Sequence, residues 1–222
     1  MTGVQTCALP IYFRDRWVGS SEGNLEKIFR LIRGLGRCIV FIDEADQTLG
    51  KRDGGSGDSG LSGRLYSMIA QEMGDADNRG KVIWILASSR PDLIEVDLKR
   101  PGRVDVKIPL LPTTTVEESA ALLKALLKRF ELKLETKALV KLPLPLLLTP
   151  GAAEALAVKV YRQVRTAQME PLAALTHCLQ GYQPPVAEQV LRMQMSIAIR
   201  EATDMAFVPE SLRHLGEEVT SP

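Results

Sequence analysis

Two hydrophobic periods alternate along the first half of this chain. Leu25, Ile28, Phe29 and Ile32 recur at i, i+3, i+4, i+7, which predicts an amphipathic helix. Gly19 and the serines Ser20 and Ser21 mark a turn and an N-cap before it. Glu26 stands four residues ahead of Arg30 on its wet face, and Gly34 and Gly36 close it. The pattern then changes to an unbroken apolar run, Cys38-Ile39-Val40-Phe41-Ile42. Such a run predicts a strand buried on both faces, deep in a parallel sheet. Lys51 to Gly60 is polar and Gly-rich and predicts a mobile loop. Leu65, Met68, Ile69 and Met73 trace another helix face, and Lys81 to Ala87 form a second buried strand that Pro91 halts. After a short helical turn around Leu93 to Leu98, Val104, Val106 and Ile108 alternate with Asp105 and Lys107, which predicts a third, half-exposed strand.

Beyond Pro112 the strand-type runs stop. Thr115 with Glu118 spells a capping box, opening a helix with Val116, Leu123, Leu126, Leu127 and Phe130 on one face. Residues 131–148 are Leu-rich but broken by prolines and predict a loop packed on the surface. Thr149 with Pro150 starts a helix whose face is Leu156, Val160 and Val164. Pro171 starts another, ending near Gly181, and Pro184-Pro185 precede a long one with Val186, Val190, Met193 and Ile197. The second half is therefore a small all-α domain.

Composition narrows the class. The chain has 222 residues, 45% of them hydrophobic and 25% charged, ordinary for a globular protein of one large or two small domains. Net charge is +1, so no global basic field recruits nucleic acid. Cys7, Cys38 and Cys178 have neither metal nor disulfide spacing, which suits a reducing, cytoplasmic compartment. The longest apolar run, Leu142 to Leu148, is short and interrupted by Pro143 and Pro145, so no membrane span is expected. His177 and His214 are isolated and read as structural or solvent-facing.

The candidate chemistry sits where the first strand ends. Asp43 and Glu44 follow Ile42 directly, and ligands of open α/β sheets bind at the carboxyl ends of strands. Desolvated carboxylates need a cation or donors. A magnesium ion held through Asp43, with Glu44 orienting a water, meets that need and permits phosphoryl chemistry. This is the Walker B pattern; a helix-capping or salt-bridged acid pair is the competing explanation.

Four blocks in order resemble the AAA+ ATPases, in the branch with a second region of homology: Trp17-Val18-Gly19-Ser20-Ser21-Glu22, Phe41-Ile42-Asp43-Glu44-Ala45-Asp46, Ala87-Ser88-Ser89-Arg90-Pro91-Asp92, and Asp97-Leu98-Lys99-Arg100-Pro101-Gly102-Arg103-Val104-Asp105. The resemblance covers about residues 16–112 and implies an α/β fold, the C-terminal part of a P-loop NTPase parallel-sheet core followed by a small all-α lid. It divides the chain into an adapter-like segment 1–11, a partial large subdomain 12–112, a helical lid 113–212 and a tail 213–222. It implies ATP and Mg2+ as cofactors, with Asp43 binding magnesium and Glu44 activating the attacking water. Ser89 takes the place of the asparagine that usually senses the γ-phosphate, and Ser88 competes for that role. Arg100 and Arg103 correspond to arginine fingers that reach the ATP of a neighbouring subunit, against a plain solvated basic turn. Trp17 and Val18 correspond to the pore loop that grips a polypeptide, although an aromatic there can also pack on its own domain. Gly151 and Ala152 correspond to the lid pair that approaches the nucleotide. The implied assembly is a homo-oligomer, usually a six-subunit ring, remodelling or unfolding a polypeptide, with neither nucleic acid nor membrane as partner.

No G-x-x-x-x-G-K-[ST] motif occurs in the sequence. Met1 to Ile11 has no charge and no period, and resembles a translated sequencing adapter. The expectation is then a fragment of a longer enzyme, cut before the pore loop and inactive by itself. The resemblance implies a P-loop strand lying between the strands at 82–88 and 104–109; without it, these should leave backbone groups unpaired or pair directly. Two other functions compete: a non-catalytic AAA-like scaffold, favoured by the absent P-loop and by Ser89, and an RNA helicase, since Asp43-Glu44-Ala45-Asp46 spells DEAD.

Overall fold

The computed structural model describes residues 20–49 and 59–217. The chain divides into two compact units, with the division between Lys107 and Ile108.

In the first unit, helix α1 (Ser20–Leu35) leads to strand β1 (Cys38–Ile42), a single helical turn α2 (Ala45–Leu49), helix α3 (Ser59–Gly74) and strand β2 (Val82–Leu86). The apolar stripe of α1 does what its spacing dictates: Leu25, Phe29 and Ile32 are buried, against Leu65, Ile69 and Met73 of α3 and the inner face of the strands. Each such side chain contributes about 1.5–3 kcal/mol on leaving water. Glu26 pairs with Arg30 at 3.4 Å and with Arg33 at 3.2 Å. Gly36 turns the chain at φ +75°, a conformation that a Cβ disfavours, and β1 follows at once. The last two residues of the predicted 51–60 loop, Ser59 and Gly60, belong to α3; residues 50–58 lie outside the described part.

β1 and β2 pair in parallel, Cys38 opposite Val82 through Ile42 opposite Leu86. Two sequence expectations about this sheet need correcting. β1 and β2 are not buried on both faces. Cys38, Val40, Ile42, Val82, Trp84 and Leu86 face the core, whereas Ile39, Phe41, Ile83 and Ile85 are 43–64% exposed. A strand is buried twice only when a layer covers each face, and the described residues supply one layer. The alternating Val104–Ile108 stretch is not a strand in the described structure. The Val104 N–H turns back to the Leu98 carbonyl at 3.1 Å, and Val106 and Ile108 are exposed. Without a neighbouring strand among the described residues, alternation cannot build a ladder.

The second unit is helical: α4 (Val116–Arg129), α5 (Thr136–Leu139), α6 (Pro150–Thr166), α7 (Pro171–Gln180) and α8 (Glu188–Glu201). The capping box forms in full. Thr115 Oγ1 accepts from Glu118 N–H at 3.1 Å, and Glu118 Oε2 accepts from the N–H groups of Thr114 and Thr115 at 2.6 and 3.3 Å. Thr149 caps α6 with Pro150 in its first turn. Leu123 and Leu127 of α4 pack with Leu156 and Val160 of α6 and Leu175 of α7. The Leu-rich segment is not a surface loop: Leu139, Leu144 and Leu148 are buried in the same core, Leu139 on the short helix α5. Ser119 holds the segment by donating to the Pro145 carbonyl at 2.9 Å. The face predicted for α8 is also displaced. Val186, Val190 and Met193 are exposed; Ile197 of the predicted face is buried, together with Leu191, Met195 and Ile199. Met195 and Ile199 pack with Val208 and Leu215 from the 3-10 turns that follow.

Candidate active site

The acidic tip of β1 is built by the break in its own ladder. β1 ends at Ile42, but its carbonyl still accepts from Ala87 N–H at 2.9 Å, and Ala45 N–H donates to the Ala87 carbonyl at 2.9 Å. The two residues between, Asp43 and Glu44, are lifted out of the ladder and exposed. Glu44 lies at φ +47°, in the left-handed region that a non-glycine residue enters at a cost. Its N–H donates to Asp43 Oδ1 at 2.9 Å, which orients the aspartate. Ala45 and Leu49 on α2 are buried and anchor the segment beyond the tip.

β2 ends beside it. Ser88 Oγ donates to Asp46 Oδ1 and accepts from Arg90 N–H at 3.0 Å. Arg90 grips Asp92 with two nitrogens, at 3.0 and 2.9 Å. That hydrogen bond holds the Asp92 carboxyl below its ordinary range and pushes the Arg90 guanidinium up. The two serines therefore differ in kind. Ser88 is committed within the strand tips, and Ser89 is exposed next to it.

The two predicted fingers lie in the same unit, on a Pro-Gly turn after a 3-10 segment from Val96 to Lys99. Gly102 takes φ +87°, and its N–H donates to Asp105 Oδ1 at 2.6 Å. Arg100 Nη2 is 3.0 Å from Asp97 Oδ1. Arg103 Nη1 donates to the Asp97 carbonyl at 2.8 Å. Gly151 and Ala152 belong to the second unit, in the first turn of α6. Gly151 is exposed, whereas Ala152 is buried in that unit's core and its N–H donates to Thr149 Oγ1 at 3.3 Å. Trp17 and Val18 lie outside the described residues.

The strand tip is an open edge. A cavity of about 450 Å³ between α1 and α3 is lined by Glu26, Arg33, Gln71, Glu72 and Asp75 among others, and none of Asp43, Glu44 and Ser89 lines it. Among the described residues, no group of three or more His, Cys, Asp or Glu could enclose a metal. The fit is instead to a cation that takes one or two carboxylates and keeps its other positions for water and phosphate, as Mg2+ does. Asp43, exposed and without an ion-pair partner among the described residues, is such a donor, and Glu44 beside it is equally exposed and unpaired there.

Sequence reasoning did not find the Ser88–Asp46 clamp or the double hold of Asp97 on the arginines. The first had a usable signal, a carboxylate three residues beyond Asp43 on a helix starting at a strand end. The second had its signal in the i, i+3 spacing of Asp97 and Arg100.

Residues 6–111 match the model of the ATPase family associated with various cellular activities, AAA; the match begins inside the segment set aside as adapter-like. A peroxisomal ATPase PEX6 from Penicillium chrysogenum is 37% identical over 123 residues, 53% of this chain and 8% of the relative. The PEX6 of Candida glabrata is 36% identical over 119 residues, 53% of this chain and 12% of the relative. A cell division cycle protein 48 homolog from Archaeoglobus fulgidus is 38% identical over 98 residues, 44% of this chain and 13% of the relative. The matched regions thus span 8–13% of these relatives' length. Residues 6–111 are an AAA ATPase domain, with the P-loop NTPase fold, and its relatives are ATPases of the PEX6 and Cdc48 kind.

Proposed function

From the premise of an AAA domain, we propose that the protein carrying this chain hydrolyses ATP with Mg2+ in a ring of like subunits and uses the work to remodel or unfold polypeptides, in the cytoplasm. The observation that supports this most is the strand tip. Two exposed carboxylates are held in a strained turn between hydrogen bonds to Ala87 on either side. Bound magnesium supplies charge neutralisation at the phosphates, and Asp43 is the residue that holds it. Glu44 takes the proton of the attacking water, for which an exposed, unpaired carboxylate is suited. Ser89, exposed at the end of β2, offers one hydroxyl toward the γ-phosphate. Arg100 and Arg103 stabilise the spreading negative charge on a neighbouring subunit's phosphate, as planar multi-donor cations do. Gly151 and Ala152 take the part of the family's lid pair toward the nucleotide, and Trp17 and Val18 that of the pore loop toward the polypeptide. The same tetrapeptide spells DEAD, and the family that matches it is AAA.

Glu44→Gln in the full-length protein is the test. ATP binding should persist while turnover falls by two or more orders of magnitude. Unchanged turnover would remove Glu44 from the role.

A further inference from the structure

Asp97 makes two contacts to two different guanidinium groups. Its side chain pairs with Arg100 at 3.0 Å, and its main-chain carbonyl accepts from Arg103 at 2.8 Å. The Arg103 bond uses the backbone and is indifferent to the side chain at position 97. The Arg100 bond depends on the carboxylate alone. Arg100 and Asp97 are 70% and 52% exposed, so their attraction is weak and open to exchange with another anion. Backbone bonds fix the turn that carries them: Arg103 N–H to the Arg100 carbonyl at 3.3 Å, and Val104 N–H to the Leu98 carbonyl at 3.1 Å. Beneath the turn, the Tyr66 hydroxyl is buried without a hydrogen-bond partner among the described residues. Its pKa is raised, first by burial and then by Asp97 and Glu95.

We propose that Asp97 is a positioning residue for Arg100: its carboxylate holds that guanidinium within its own subunit as a competitor for the phosphate of the neighbouring one. This rests on the assignment of Arg100 as a finger acting across a subunit interface. When a γ-phosphate is presented, Arg100 leaves the carboxylate for the more highly charged anion, while Arg103 keeps its backbone anchor. No covalent step is involved. Loss of the carboxylate frees only Arg100, and only a ligand with a γ-phosphate registers the difference.

The experiment is nucleotide binding by the assembled full-length protein, read by fluorescence with a non-hydrolysable ATP analogue and with ADP. Asp97→Asn should tighten the ATP analogue about two- to fivefold, the range that an exposed ion pair permits, and leave ADP unchanged. The gain should vanish in Asp97→Asn with Arg100→Ala and persist in Asp97→Asn with Arg103→Ala. Asp97→Glu, which can still reach Arg100, should behave as the parent. No change in ATP-analogue affinity, an equal gain for ADP, or a gain surviving loss of Arg100 would overturn the role of Asp97. Should Arg100→Ala alone leave both ATP-over-ADP preference and hydrolysis intact, the finger assignment itself fails, and the inference with it.

Discussion

Ser88 Oγ donates to the carboxylate of Asp46, across the gap between the end of β2 and the first turn of α2. Together with the Ala45 N–H bond to the Ala87 carbonyl, it locks two strand ends into one edge. The acids therefore flank this edge on one side and Ser89 on the other. Ser88→Ala leaves a partly buried carboxylate without its donor. It should lower unfolding free energy by about 1–2 kcal/mol in urea titration. In Asp46→Ala the further loss from Ser88→Ala should be much smaller, because the bond is already gone.

The left-handed backbone of Glu44 stores strain at the tip. Asparagine tolerates that conformation better than glutamate. Glu44→Asn should leave thermal stability unchanged or raised by up to ~1 kcal/mol, while turnover of the full-length protein is lost. A clear drop in melting temperature would show that the tip is relaxed.

Leu139 distinguishes a core segment from a surface loop. It is fully buried on α5 among the leucines of α4 and α6. Leu139→Ala should cost about 2–5 kcal/mol of the second unit's stability, by transfer and cavity terms together. A loss under ~0.5 kcal/mol would restore the surface packing that the prolines suggest.

Acid should weaken both units through named carboxylates. The Glu118 carboxyl is held low chiefly by the Thr114 N–H, and that of Asp92 by Arg90. A depressed folded pKa contributes stability above the unfolded value and loses it as pH falls through the folded one. Melting temperature should therefore decline from the ordinary carboxylate range downward. Glu118→Gln should flatten the decline for the helical unit, and Asp92→Asn for the other. A pH profile unaltered by either variant would contradict the hydrogen bonding described.

Helix faces set by local spacing were legible in the sequence. Leu25, Phe29 and Ile32 on α1, and Leu123 and Leu127 on α4, are buried as their period requires. So were the caps at Thr115 and Thr149, because a cap is a contact within one turn. Features decided by distant partners were not. Phe41 and Ile85 are apolar whether or not a layer covers them, and nothing near Val106 in sequence reveals whether a strand lies beside it. Leu144 and Leu148 were hidden by the prolines around them, which mark irregular backbone but do not forbid burial. On α8, Val190 and Leu191 are adjacent, so two stripes compete, and packing against Val208 and Leu215 selects the one through Leu191. At the site, the acids could be read from the chain, but the Ser88–Asp46 pair joins positions 42 residues apart.

The division of one catalytic pocket between two subunits is tested most directly by mixing. Full-length subunits carrying Glu44→Gln are prepared separately from subunits carrying Arg100→Ala with Arg103→Ala, and ATP hydrolysis is measured across mixing ratios after subunit exchange. Each variant alone should be inactive, and mixtures should regain activity, because some interfaces then join an intact Glu44 to intact arginines. Mixed assemblies that form but stay inactive at every ratio would contradict the shared pocket.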